Sequence, residues 1–143
     1  MKKTLMLATS VLFGTVLMGC QNEPAAQQEQ VQAQQTITGN VAYRERIMLP
    51  DNAVVTVRLQ DVSLMDAPAK LISEQVIETN GAQVPVAFEL SYNPNDIKPG
   101  HRYSVSARIE VAGELRFITD TMNAVITDEN QTQQLNLMLV GTR

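Results

Sequence analysis

From Ile37 onward the chain alternates apolar and polar residues with period two, the pattern of strands that bury one face. Ile37, Gly39, Val41 and Tyr43 form one inner row, and Val55, Val57 and Leu59 a second. Val84, Val86, Phe88, Leu90 and Tyr92 form a third; Tyr103, Val105, Ala107, Ile109 and Val111 form a fourth. Leu115, Phe117 and Thr119 follow, and Leu135, Leu137 and Leu139 close the series. Residues 70–78 (KLISEQVIE) read as a further strand of less regular pattern. No segment carries an apolar stripe at helical spacing. Seven strands over residues 37–143 predict an all-β, single-domain antiparallel β-sandwich, immunoglobulin-like or transthyretin-like.

The same alternation sets expectations for register. Within 107–119 both inner rows are odd-numbered, so pairs summing to 226 keep one face apolar. That places Val111 opposite Leu115, Ile109 opposite Phe117 and Glu110 opposite Arg116 around a three-residue loop with Gly113. Asn80-Gly81 is a two-residue turn signal. It predicts a hairpin with Ile77 opposite Val84 and Leu71 opposite Leu90. Gln75 then falls inward, a conflict that a bulge would repair. Pro99-Gly100 and Asn93-Pro94-Asn95-Asp96 mark turns. Pro85, lacking an N–H, places its strand at a sheet edge.

The N-terminus has another pattern. Lys2 and Lys3 precede a mostly apolar run from Leu5 to Met18, 14 residues long. About 20 are needed to span a bilayer, so residues 1–19 read as a signal peptide and stand outside the fold. The run closes on Leu17-Met18-Gly19-Cys20, which resembles the lipobox of bacterial lipoproteins. The resemblance implies that Cys20 is lipidated through a thioether to a diacylglyceryl group and becomes the first mature residue. One acyl chain holds a protein only marginally, at about 0.8 kcal/mol per buried methylene, whereas two or three chains make release negligible. Gln21 follows the cysteine, which by analogy with lipoprotein sorting favours the outer membrane. Cleavage removes 19 residues and leaves 124. With Lys2 and Lys3 gone, the net charge moves from −4 to −6. No polybasic cluster remains to bind anionic lipid, so the acyl group carries the anchoring.

Residues 20–36 combine that cysteine with a stretch containing seven glutamines and one large apolar residue, Val31. Such a stretch cannot offset its ordering entropy by burial, and reads as a flexible tether. A coil of this length spans roughly 20–25 Å on average. A short helix over Ala25–Gln35 is the other reading, but it has no apolar face to dock.

Composition removes several functions. One Cys excludes an internal disulfide framework or a Cys-rich metal site. The acidic balance argues against a nucleic acid partner. No G-x-S-x-G, phosphate-binding loop, H-E-x-x-H or calcium-loop pattern occurs. No metal and no cofactor is implied. His101 is tied to no nucleophile by a motif, and Asp128-Glu129-Asn130 lacks calcium spacing. Arg44-Glu45-Arg46 fits a charged strand end; a partner carboxylate is its other reading. The domain reads as no enzyme, without catalytic residues. Its unusual residues are apolar ones in loops: Ile47, Met48 and Leu49 before Pro50, and Leu64 and Met65 after the second strand. They are either plugs over the ends of the core or a partner-binding surface, for which methionine is well suited.

The run Thr38-Gly39-Asn40-Val41-Ala42-Tyr43-Arg44-Glu45-Arg46 continues into Ile47-Met48-Leu49-Pro50 and then Ala53 to Ser63. With Val84 to Leu90, Ile97, Tyr103 to Ile109 and Gly113 to Phe117, it resembles the YbaY-like lipoproteins, grouped with the YscW-type lipoprotein chaperones (pilotins) of type III secretion. The resemblance covers most of residues 37–140. It implies an outer-membrane lipoprotein with a periplasmic β-sandwich that binds a secretin subunit without transforming it. Its partners would be the lipid bilayer, through Cys20, and an envelope protein segment such as a secretin. The alternative is a glycan- or peptidoglycan-binding module. Low aromatic content opposes it, because Tyr43, Phe88, Tyr92, Tyr103 and Phe117 all fall on inner rows.

Overall fold

The computed structural model describes residues 33–143. The expected signal peptide, Cys20 and the expected tether as far as residue 32 lie outside the described residues. The strands are β1 (Gln35–Tyr43), β2 (Ala53–Asp61), β3 (Lys70–Glu78), β4 (Val86–Tyr92), β5 (Tyr103–Val111), β6 (Glu114–Ile118), β7 (Ala124–Val125) and β8 (Gln134–Gly141). The seven strands expected from alternation are all present. β7, with two residues, is too short to carry a period. Inner rows are buried as the alternation requires: Val55, Val57 and Leu59 of β2 and Val105 and Ile109 of β5 are wholly sequestered. β1 takes in Gln35 and Thr36, because the Gln35 carboxamide oxygen accepts from Tyr92 Oη at 2.9 Å and Thr36 pairs with Ser91.

The strands follow the order β3-β2-β5-β6-β8-β1-β4, with β7 added beside β5. This is one continuous sheet, rolled into a nearly closed barrel, where two stacked layers were expected. The link is β8, which pairs with β6 on one side and β1 on the other. Its pairing with β1 is parallel, so the sheet is mostly rather than wholly antiparallel.

β3 and β4 stand at opposite ends of this order, which overturns the expected Ile77–Val84 hairpin. The Asn80-Gly81 turn does form, with both residues at positive φ and Ala82 N donating to Thr79 O at 2.8 Å. The chain then leaves the turn rather than running back along β3. β3 pairs with β2, placing Ile77 opposite Val55, and β4 pairs with β1, placing Leu90 opposite Ile37. Alternation reports which face a residue occupies, not which strand lies beside it. Pro85 precedes β4, a terminal strand of the order, where a missing donor costs least.

Gln75 resolves the conflict noted in β3. A bulge does fall in this strand, between Ser73 and Leu71, but Gln75 keeps its half-buried place. Its carboxamide oxygen accepts from Glu89 N of β4 at 2.7 Å. The polar residue on the inner row therefore bridges the two sheet edges that nearly close the barrel.

The 107–119 hairpin is half as expected. Ile109 faces Phe117, but Val111 faces Glu114 and Glu110 faces Leu115. Arg116 is the extra residue of a bulge, so it has no Glu110 opposite it. Parity of the two inner rows predicts a three-residue loop. The bulge absorbs the odd residue, and a two-residue Ala112-Gly113 turn with φ of 52° and 79° suffices. Gly100, at φ 81°, completes the expected Pro99-Gly100 turn.

Candidate functional site

One end of the barrel carries a groove of about 550 Å³. It lies where β1 ends, β2 begins and β8 finishes. Its apolar side is Ile47, Met48, Leu49 and Val140, and its charged rim is Glu45, Arg116 and Arg143. Behind it, Tyr43 and Phe117 stack at 4.1 Å with their planes 7° apart, an arrangement that adds about 0.5–1.5 kcal/mol to their burial. Burial, and then the charge of Glu45, push the Tyr43 phenol above its ordinary value. It stays protonated and donates to Ile47 O at 2.6 Å.

The loop that forms the apolar wall is fixed at three points. Tyr43 holds Ile47. Gln83 holds Leu49 twice, accepting from its N–H at 2.7 Å and donating to its carbonyl at 3.0 Å. Ala53 N donates to Pro50 O at 3.0 Å. A side-chain amide thus does for the loop what a neighbouring strand would do for a ladder. The bulge in β6 places Arg116 on the rim, where it meets Glu114 at 3.6 Å. The C-terminal tail is tied down by Thr142, whose N–H donates to Arg116 O at 2.8 Å and whose hydroxyl donates to Leu115 O at 2.7 Å.

The five apolar loop residues separate into two groups. Leu49 is buried, with 4% of its surface exposed, and plugs this end of the core. Ile47 and Met48 beside it are 55% and 78% exposed. Leu64 and Met65, at 70% and 90%, sit on the loop after β2, at the far end of the barrel. The alternation missed a further apolar strip. Val140 and Ile118 face each other across β8 and β6 and are partly exposed, as is Met138 two residues before Val140. Val140 and Met138 also line an adjoining concavity of about 330 Å³. The signal was available: Leu137-Met138-Leu139-Val140 is apolar on both faces of one strand.

At the far end, His101 Nδ1 lies 2.7 Å from Asp61 Oδ2. Ser63 donates to the same carboxylate from its N–H and its hydroxyl. The hydrogen bond from His101, and then those from Ser63, hold Asp61 down to about 2. These are the residue types of a hydrolytic triad, wired differently. Serine and histidine both bond to the aspartate, and Ser63 Oγ accepts from Arg102 N at 2.7 Å. The hydroxyl is a structural link here, not a nucleophile activated by imidazole. Asp128 is likewise occupied: Thr132 donates to one oxygen from N–H at 2.8 Å and to the other from its hydroxyl at 2.6 Å. Those bonds hold its carboxyl below the ordinary range. Among the described residues, no three His, Cys, Asp or Glu side chains gather as a metal site requires. Among the described residues all five aromatic side chains are buried, so none of them offers an exposed ring as a stacking platform for a sugar.

A family model described as the type III secretion system lipoprotein chaperone (YscW) matches residues 32–137. The lipoprotein YbaY of Escherichia coli K12 is 42% identical over 116 residues, which cover 81% of this chain and 60% of that protein. The chain thus spans less than two thirds of that relative's length. A solved structure of an alternative pilotin from the type II secretion system of Vibrio cholerae is 64% identical and superposes with a TM-score of 0.75, covering 77% of this chain and 98% of that one.

Proposed function

Because the chain belongs to the type III secretion system lipoprotein chaperone (YscW) family, we propose that it acts as a non-enzymatic pilotin. In this reading Cys20 is acylated and anchors the protein in the outer membrane, and the barrel stands in the periplasm. The partner is a secretin subunit, a reading supported by membership of a secretion-system chaperone family and by the likeness to a secretion-system pilotin. One observation carries the assignment of the site: Ile47 and Met48 remain largely exposed on a loop pinned by Tyr43 and Gln83, over a groove with a mixed-charge rim. A rigid apolar wall with charges of both signs around it suits a short amphipathic protein segment. Leu49 supports the wall from below, as the core plug of that loop.

Covering a large apolar side chain contributes about 1.5–3 kcal/mol. Losing two such contacts and adding charge should weaken the complex at least ~100-fold. The test is co-purification of the secretin subunit with the lipidated protein from detergent-extracted envelopes. Ile47→Asp with Met48→Asp should abolish recovery while leaving the melting temperature unchanged, and Leu64→Asp with Met65→Asp should not. Recovery that survives the first pair places the site elsewhere.

A further inference from the structure

Leu64 and Met65 are the most exposed apolar neighbours in the barrel, and they lie at the end where the chain joins it. The connection runs through named contacts. Gln35, the first residue of β1, bonds to Tyr92 at the end of β4. The segment after β4 reaches Tyr103 through Lys98, whose N–H donates to Tyr103 Oη at 2.8 Å. Tyr103 pairs with Asp61, which ends β2 and leads into the Leu64–Met65 loop. The groove is at the opposite end of β2, whose nine residues rise about 3.3 Å each and so span about 30 Å.

We infer that the Leu64–Met65 loop inserts into the surface of the bilayer that holds the anchor. The inference rests on the acylation of Cys20. Only 14 residues lie between Cys20 and Gln35. Their expected average span, roughly 20 Å, is shorter than the barrel. On that average span, the end bearing Gln35 is held nearer to the lipid than the groove is.

The loop is built to hold its apolar pair outward. Val62 N donates to Arg102 O at 2.8 Å, and Arg102 N donates back to Ser63 Oγ at 2.7 Å. Asp61 fixes Ser63 through two further bonds. Lys70, Lys98 and Arg102 are exposed at this end, and their stems can lie along the interface with their charges among headgroups. Asp66 and Asp96 share the end, so attraction comes from the apolar pair rather than from net charge. Insertion should therefore occur in zwitterionic as well as anionic vesicles.

The test uses the full-length lipidated protein in vesicles of phosphatidylcholine, with and without phosphatidylglycerol. Met65→Cys and Met48→Cys are each labelled with an environment-sensitive fluorophore; the thiol of Cys20 is consumed by its thioether. Label at position 65 should show blue-shifted emission that nitroxide-bearing lipids quench, in both vesicle types. Label at position 48 should show neither. Water-like emission at position 65 on protein that floats with the vesicles overturns the inference alone. A shift at position 65 that appears only when secretin subunit is added overturns it in favour of a protein contact. Protein that fails to float with the vesicles shows that the anchor reading has failed, and this inference with it.

Discussion

Gly39 shows what a single position owes to a neighbour distant in sequence. Glycine inside a strand ordinarily weakens it. Here a Cβ would lie 2.9 Å from a Phe88 ring carbon and far inside the radius of Leu135 O. The obstruction is the backbone of β8, paired in parallel with β1 from Thr38 to Tyr43, so it cannot move without loss of that ladder. Gly141 is a useful contrast. Its Cβ would meet Glu45 Oε1 at 2.5 Å, but that is the tip of a flexible side chain free to turn away. Gly39→Ala should cost about 3 kcal/mol or more, the upper range for forcing atoms into a filled site. Gly141→Ala should stay within about 0.5 kcal/mol of the parent. Urea unfolding of both variants measures the difference, and equal costs would remove the close approach as the reason for Gly39. In the sequence Gly39 is only one more member of an inner row. Nothing local announces that β8 returns parallel at that point, so its requirement could not be read there.

At the scale of strands and loops, burial was legible and adjacency was not. Period-two alternation depends on each strand having one face inside, and that holds whether the sheet stacks or rolls. It therefore located β1 to β6 and β8 while leaving the β3–β4 pairing and the closure of the barrel undetermined. Gln75 was the exception. A polar residue on an inner row marked an irregularity, and that residue proved to bridge the edges of β3 and β4. The clasp at Asp61 could not be foreseen, because His101 is 40 residues away and Ser63 carries no motif. Its effect can be measured. Asp61 titrates at about 2 in the folded protein, against 3.8 ordinarily. A depressed carboxylate contributes stability that is full above the unfolded value and is lost as pH falls through the folded one. The contribution should therefore be complete above about pH 4 and gone below about pH 2. In urea titrations between those limits, the stability gap between the parent and Asp61→Asn should narrow steadily as acid is added. A gap that stays constant would show that Asp61 does not carry this linkage.

The barrel as a whole has two ends that differ in what they expose: Ile47 and Met48 beside a groove at one, Leu64 and Met65 at the other. In sequence, Ile47 to Leu49 and Leu64 to Met65 are 15 residues apart and read as one candidate surface. β2 lies between them and carries them to opposite ends of the barrel, about 30 Å apart. The groove lies at one end. Gln35, the first residue of β1, and the exposed Leu64–Met65 loop lie at the other. Energetic coupling between substitutions generally fades beyond about 7–10 Å when they share no partner. The continuous ladders from β3 through to β4 offer no hinge between the ends of the barrel for one to report on the other. The loss of secretin affinity caused by Ile47→Asp with Met48→Asp should therefore be the same whether or not Leu64→Asp with Met65→Asp is also present. In detergent solution, where no bilayer orients the protein, the two measurements should agree within about twofold, the scatter expected of independent sites. A larger discrepancy would mean that the far loop contributes to the partner site after all, and the division of the barrel into a lipid end and a partner end would have to be abandoned.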